Sequence, residues 1–238
     1  MSKPTIVLVH GAFGDASSWR SVYDLLDGDE YTVIAPANPL RGLASDASYL
    51  EGLIDELDGP VVLVGHSYGG PVITVAGNSG KVAGLVYVAG LAPDEGESVG
   101  DLQERFPPLA MGNVLKPRPL EDGGAEITVD PERFHDVFAA DVSDADAAFR
   151  AHAQRPVAPN AFEEPAMAAA WRAKPSWAVF GTGDLPVGPA LHRYQYERAG
   201  STVTEVEGAS HFLMLSRPDV VARVIREAVT ATTASAVA

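Results

Sequence analysis

Apolar, β-branched runs punctuate the chain: "TIVLVHG" (5–11), "YTVIAP" (31–36), "VVLVGHS" (61–67), "VAGLVYVAG" (82–90), "SWAVFGTG" (176–183) and "STVTEVEGASH" (201–211). Several are continuous rather than alternating, which is how strands buried on both faces read. Between them lie segments with helical spacing: "SSWRSVYDLL", "DASYLEGLIDEL", "PVITVAGNSG", "PALHRYQYERAG" and "RPDVVARVIREAV". Strand alternating with helix predicts right-handed crossovers and a parallel sheet covered on both faces. The expected architecture is a three-layer α/β/α sandwich around a mostly parallel sheet of about six strands.

One region departs from this rhythm. From Asp94 to Trp171 strand signals almost vanish, and the composition shifts to Ala, Pro, Asp, Glu and scattered Phe. The chain therefore divides into a core domain from 1–93 and 172–238, with 94–171 inserted as a lid or cap. "DPERFHDVFAADVSDADAAFRAHAQRP" predicts one or two amphipathic helices with Phe134, Val137, Phe138 and Phe149 on apolar faces. An insertion of this length between two strands of one sheet predicts a helical cover over a pocket. The closing "TATTASAVA" reads as a frayed tail.

Composition narrows the chemistry. Of 238 residues, 46% are hydrophobic, enough for a substantial core. The net charge of −15 argues against nucleic acid or an anionic membrane surface as partner. The absence of cysteine removes disulfides, thiolate zinc sites, iron–sulfur clusters and a cysteine nucleophile. No apolar run is long enough to span a membrane, and "MSKP" followed by "TIVLVHG" lacks a signal-peptide pattern, so the expected location is cytoplasmic.

The most informative stretch is "VVLVGHSYGGPVI" (61–73). Gly65-His66-Ser67-Tyr68-Gly69 fits Gly-x-Ser-x-Gly after a predicted strand and before a predicted helix. A nucleophile on so sharp a turn needs bulk-free neighbours two residues before and after it. Phosphate-binding alternatives fail: no Gly-Lys-Ser/Thr exists, and "HGAFGDA" lacks the dinucleotide spacing. A serine hydroxyl needs a base and an orienter for that base. Of six histidines, His10 and His66 lie within glycine motifs and are expected to shape loops. His135, His152 and His192 fall in helical patterns and are expected to face solvent. His211 ends the last strand-like segment, before the last helix, and is the candidate general base. For the acid, Asp184 follows the penultimate strand in a Gly/Pro-rich loop, and Asp94 follows another strand end; either satisfies the order Ser, Asp, His. Asp184 is preferred. Backbone N–H groups of Tyr68 and Ala12 are the candidate oxyanion donors, and Gly11 and Gly14 would let that loop approach a ligand. Phe13, Tyr68, Phe138, Phe162 and Trp171 are candidate pocket walls.

With these residues assembled, the chain resembles the α/β-hydrolase fold family along nearly its whole length. The resemblance is carried by "VLVHGAFGDASSW", "VLVGHSYGG", "VYVAGLAPDEGES", "FGTGDLPV" and "GASHFLMLSRPDVVARVI". It is most similar to the compact serine esterases, the group that includes plant methyl-ester esterases and hydroxynitrile lyases. The resemblance places the nucleophile at Ser67, the base at His211, the acid at Asp184 and the oxyanion donors at Tyr68 and Ala12. It implies that two antiparallel edge strands of larger members are missing. Serine at 67 argues against the branches that need a carboxylate nucleophile, haloalkane dehalogenases and epoxide hydrolases. The expected activity is cofactor-free and metal-free cleavage of a small to medium carboxylic ester or lactone through an acyl-enzyme. A lyase, carbon–carbon bond hydrolase or perhydrolase using the same residues stays open, as does a non-catalytic ligand-binding protein. A homodimer is left open as the one assembly.

Overall fold

The continuous apolar runs become the strands of a single sheet. The computed structural model describes residues 3–28, 31–107, 110–121 and 123–235. Its strands are β1 (Thr5–Val9), β2 (Thr32–Ile34), β3 (Val61–His66), β4 (Val82–Val88), β5 (Leu115–Pro119), β6 (Ala125–Val129), β7 (Ser176–Gly181) and β8 (Thr202–Val206). Six of them pair in the order β2-β1-β3-β4-β7-β8, every neighbour parallel. Burial follows position: β1, β3 and β7 are buried at every residue, whereas the edge strands β2 and β8 are partly exposed. Each fully buried Val or Leu in the central strands contributes roughly 1.5–3 kcal/mol of transfer free energy.

The helices are α1 (Arg20–Leu26), α2 (Leu43–Glu56), α3 (Gly69–Ala76), α4 (Val99–Glu104), α5 (Pro131–Phe138), α6 (Asp144–His152), α7 (Asn160–Glu163), α8 (Pro189–Ala199), α9 (Leu213–Ser216) and α10 (Pro218–Ser235). One layer is built by α1 and α10, with α10 against β3, β4 and β7. In the other, α2 packs on α3, which lies against β1, β3 and β4, while α8 covers β7. This is the expected three-layer sandwich. The strand order reverses direction beside β1, so the loops leaving β1 and β3 sit side by side at the carboxyl edge. Open α/β sheets bind ligands at such a switch point.

Residues 94–171 contain α4 to α7, of which α5 and α6 fall where one or two amphipathic helices were expected, and also a β-hairpin that the sequence reading missed. In it β5 and β6 pair antiparallel, from Leu115↔Val129 to Pro119↔Ala125. Its first strand, LKPRP, is largely exposed and carries two prolines, tolerable because a two-stranded ribbon leaves one edge unpaired. The hairpin is tied to the rest by an Ile127↔Val157 bridge and by Arg41 on Glu126 at 2.9 Å. Two further expectations need correction. Phe149 is 65% exposed, because the buried face of α6 is carried by Ala147 and Ala151. Nor does "TATTASAVA" fray from its start: α10 continues through Ser235, with Thr232 buried and bonded to the Ala228 carbonyl at 2.8 Å. Residues 236–238 lie outside the described residues.

Candidate active site

Strand β3 runs into α3 through Ser67, whose φ of +50° lies in the left-handed region that costs a non-glycine residue about 1–3 kcal/mol. The surroundings over-determine that conformation. Ser67 N–H donates to Val88 O at 3.3 Å, and its carbonyl accepts from Gly70 N at 2.9 Å and Leu91 N at 3.1 Å. Glycine is required on both sides by close approach: a Cβ on Gly65 would sit 2.5 Å from the Gly69 carbonyl oxygen, and one on Gly69 would run into that of Val9. From Val61 to Gly77 every residue is buried except Ser67. The turn thus presents one hydroxyl to the carboxyl edge of the sheet.

The loop after β1 lies against this turn, since a Cβ on Gly11 would come 2.7 Å from Ser67 Cβ. His10 shapes it as expected, its Nδ1 donating to Gly11 O at 2.9 Å while Nε2 accepts from Asn38 N at 2.9 Å. Burial lowers the His10 pKa, in keeping with a neutral ring. Ala12 is buried and Phe13 takes a φ of +63°. Among the described residues no acceptor engages the N–H of Ala12 or of Tyr68.

The structure brings His211 and Asp184 together. His211 Nδ1 lies 2.7 Å from Asp184 Oδ2, with both side chains buried. Among the described residues His211 Nε2 and Ser67 Oγ have no hydrogen-bond partner. The ring of His66, the residue before Ser67, lies 4.9 Å from the His211 ring, and its Nε2 donates to the His211 carbonyl at 3.0 Å. Burial, followed by the nearby His211, pushes the His66 pKa well down. The segment around His211 is also gripped by residues 94–171. Ser210 donates through N and Oγ to Asp141, and Phe212 N donates to Phe138 O at 3.1 Å. Burial alone would raise the Asp184 carboxyl; the His211 charge and hydrogen bonds from His192 and His211 outweigh it and hold it well below the ordinary carboxylate range.

The competitor Asp94 is elsewhere. It forms a two-pronged pair with Arg172 at 2.7 and 2.6 Å and takes no part in this cluster. His192 overturns its expected solvent-facing place: it is 0% exposed and its Nε2 lies 2.9 Å from Asp184 Oδ2. Helix α8 buries Leu191, His192, Gln195 and Tyr196, so two polar residues stand on its inner face and disguise it as an outer one. Of the other two, His152 is exposed and His135 half-buried, its Nε2 at 3.1 Å from Val142 O.

Four aromatic candidates gather. Phe13 packs edge-on to Phe138 at 5.9 Å and against Phe162 at 6.4 Å; Tyr68 meets Phe162 at 5.9 Å, and Phe138 meets His211 at 5.8 Å. The Tyr68 ring is fully buried, and its hydroxyl donates to Asp46 Oδ2 at 2.8 Å. Burial and the Asp46 charge push that phenol's pKa well up, so it stays protonated. Sequence reasoning missed Asp46, which shares the inner face of α2 with Leu43, Ala47 and Leu50 but whose charge marks it as a surface residue. Trp171 is not brought to this cluster. Its indole donates to Pro93 O at 2.9 Å and its ring carries Arg172 and Arg198 at 5.3 and 5.5 Å. Among the described residues no group of three or more His, Cys, Asp or Glu is arranged to hold a metal ion, and no helix is long and apolar enough to cross a membrane.

Similarity to known proteins bears on the fold and the family. A family model described as the Alpha/beta hydrolase family matches residues 6–224. The alpha/beta hydrolase nvfD of Aspergillus novofumigatus (strain IBT 16806) is 28% identical, covering 96% of this chain and 97% of that protein. Methylesterase 8 of Arabidopsis thaliana is 31% identical over 49% of this chain and 50% of its own length. Among solved structures, polyneuridine aldehyde esterase superposes with a TM-score of 0.82 at 20% identity, covering 95% of this chain and 99% of its own. A pyrethroid hydrolase from Sphingobium faniae JZ-2 gives 0.77, also at 20% identity, with 95% and 97% covered. At that identity the likeness shows the fold. The match of the family model through almost the whole sheet shows more: the chain belongs to the alpha/beta hydrolase family, and its relatives include esterases.

Proposed function

We propose that the protein is a serine-dependent carboxylic ester hydrolase that works without metal or cofactor. The observation that carries this reading is Ser67, the one accessible residue of an otherwise buried, strained strand-to-helix turn, whose neighbour His66 packs on the His211 of a buried His211–Asp184 pair. Esterases among the relatives support it.

In this reading Ser67 Oγ attacks the carbonyl carbon of a small to medium ester or lactone as His211 Nε2 takes its proton. The N–H groups of Tyr68 and Ala12 receive the negative charge that develops on the carbonyl oxygen. Collapse of the tetrahedral intermediate breaks the bond to the alkoxy group, which leaves with the proton from His211. Water then attacks the acyl-Ser67 ester, giving its proton to His211, and the acid is released as Ser67 recovers its hydrogen. Asp184 holds the imidazole with Nδ1–H toward itself. Its depressed pKa keeps it ionised throughout the neutral and mildly acidic range, so it stabilises the imidazolium without taking the proton. Phe13, Phe138 and Phe162, whose rings pack together against Tyr68 and His211, favour an apolar group on the substrate. The test is hydrolysis of a p-nitrophenyl ester series from acetate to octanoate by the native protein and Ser67→Ala. The reading requires turnover by the native chain and none by the variant; equal turnover by both would end it.

A further inference from the structure

A second histidine on the triad acid is a burial that the reaction scheme does not require. Asp184 is fully buried, and its two oxygens accept three hydrogen bonds: Oδ1 from Val187 N at 3.0 Å, and Oδ2 from His211 Nδ1 at 2.7 Å and His192 Nε2 at 2.9 Å. His192 has no exposed surface and is sandwiched in an aromatic stack, 4.8 Å from Phe180 and 5.6 Å from Tyr196.

The tautomer of His192 can be read from its neighbours. Gln195 accepts from Ala92 N at 2.9 Å through Oε1 and donates through Nε2 to Gly90 O at 2.8 Å, so its amide can face only one way. That same Nε2 lies 3.2 Å from His192 Nδ1. An amide nitrogen has hydrogens but no usable lone pair, so His192 Nδ1 must be the acceptor and carry no proton. The proton then sits on Nε2, aimed at Asp184. The chain Gly90 and Ala92, Gln195, His192, Asp184, His211 thus runs from the loop after β4 to the general base, with every donor matched to an acceptor.

From this we infer that His192 is a positioning residue for the triad. As a neutral imidazole donating through Nε2, it fixes the Asp184 carboxylate in the orientation that meets His211 Nδ1, and it offsets the burial of that charge. The inference rests on the esterase reading for its kinetic meaning and on geometry alone for its hydrogen bonds. The titratable groups around the pair are Asp184 and His211, with His66 against His211, and Tyr196 and Tyr87 behind His192. Both phenols are held protonated by burial.

Two variants separate positioning from packing. His192→Phe keeps a ring for the stack on Phe180 and Tyr196 but has no donor. His192→Gln keeps a donor near the place of Nε2. In His192→Phe, kcat should fall about ten- to a hundred-fold with KM changed less than about twofold, the scale of one hydrogen bond to a charged group. The acidic limb of the kcat/KM profile should move to higher pH, because a carboxylate relieved of one donor holds the His211 imidazolium more tightly. His192→Gln should recover most of kcat and return the limb toward its native position. If His192→Phe retains native kcat and profile, or if His192→Gln loses as much as His192→Phe, the inference is overturned.

A spectroscopic arm does not depend on turnover. Nitrogen-15 spectra of the histidine-labelled protein should show His192 protonated at Nε2 and bare at Nδ1, and the His211 Nδ1 proton resonance should move in His192→Phe. If the resonance moves while the native protein hydrolyses no ester, the hydrogen-bond chain stands and the esterase reading fails. If the native protein hydrolyses esters while the resonance and rate ignore His192→Phe, the esterase reading stands and this inference fails.

Discussion

The same substitution made at two glycines should have opposite effects, and the contrast tests the physical account of the turn that carries Ser67. At Gly65 an added Cβ would lie 2.5 Å from Gly69 O, 2.6 Å from Gly69 C and 2.9 Å from Gly70 N. All three are backbone atoms of the turn and the first residues of α3, so no side chain can rotate away. Ordinary contact begins near 3.4 Å, so strand and helix must part by about 0.9 Å at this point. Overpacking of this kind costs typically 1–3 kcal/mol. The displacement falls directly on Ser67, and a misplacement of about 1 Å can cost on the order of a hundredfold in rate. At Gly52, an exposed position within α2, an added Cβ meets nothing within 4 Å. There Gly→Ala should stabilise by about 0.8–1.0 kcal/mol through helix propensity alone. Urea unfolding of both variants gives the stability change, and p-nitrophenyl acetate hydrolysis gives the rate. Gly65→Ala should lose both, Gly52→Ala should gain stability and keep its rate. A Gly65→Ala protein with native stability and native turnover would refute the close-approach argument.

Three further outcomes follow from the site. Asp184→Asn keeps the shape but removes the charge that sets the His211 tautomer, so kcat should fall by roughly 10³–10⁴ with the fold intact by circular dichroism; a loss under tenfold would contradict the assignment. Burial lowers His10 and lowers His66 further from 6.5, so on acidification the unfolded chain takes up protons that the folded one excludes. Stability should hold above that pH and fall below it by up to about 1.4 kcal/mol per pH unit per group, as urea titrations at several pH values would show, whereas a flat dependence would mean these rings are not held neutral. Asp141→Ala leaves the buried Ser210 N–H and hydroxyl without their acceptor, so it should lower stability by about 1–3 kcal/mol and, by loosening the segment next to His211, lower kcat by about tenfold; unchanged kcat would mean the grip on this segment is incidental.

How the sequence encoded these features differs by residue. Ser67 was legible because Gly-x-Ser-x-Gly between a strand and a helix is a short sequence pattern, although only Gly65 answers to atoms within five residues and Gly69 answers to the Val9 carbonyl on the neighbouring strand. Asp184 and His211 were legible as strand-end residues in the right order, and the sheet brings strand ends to one edge. His192 was not legible, since nothing in "PALHRYQYERAG" says that the helix buries its histidine and glutamine; only the position of α8 over β7 makes that face an inner one. The hairpin was hidden by prolines in "LKPRP", and Phe149 misled because α6 turns its alanines, Ala147 and Ala151, inward. Trp171 was misjudged for the same kind of reason, its partners Pro93 and Arg198 lying far away in sequence.

The central claim is that Ser67 is an activated nucleophile. Intact-protein mass after treatment with a fluorophosphonate, on the native chain and on Ser67→Ala, tests it most directly. The account predicts one adduct on the native protein and none on the variant. A folded native protein that takes no adduct, or a variant that is labelled as readily, would contradict it.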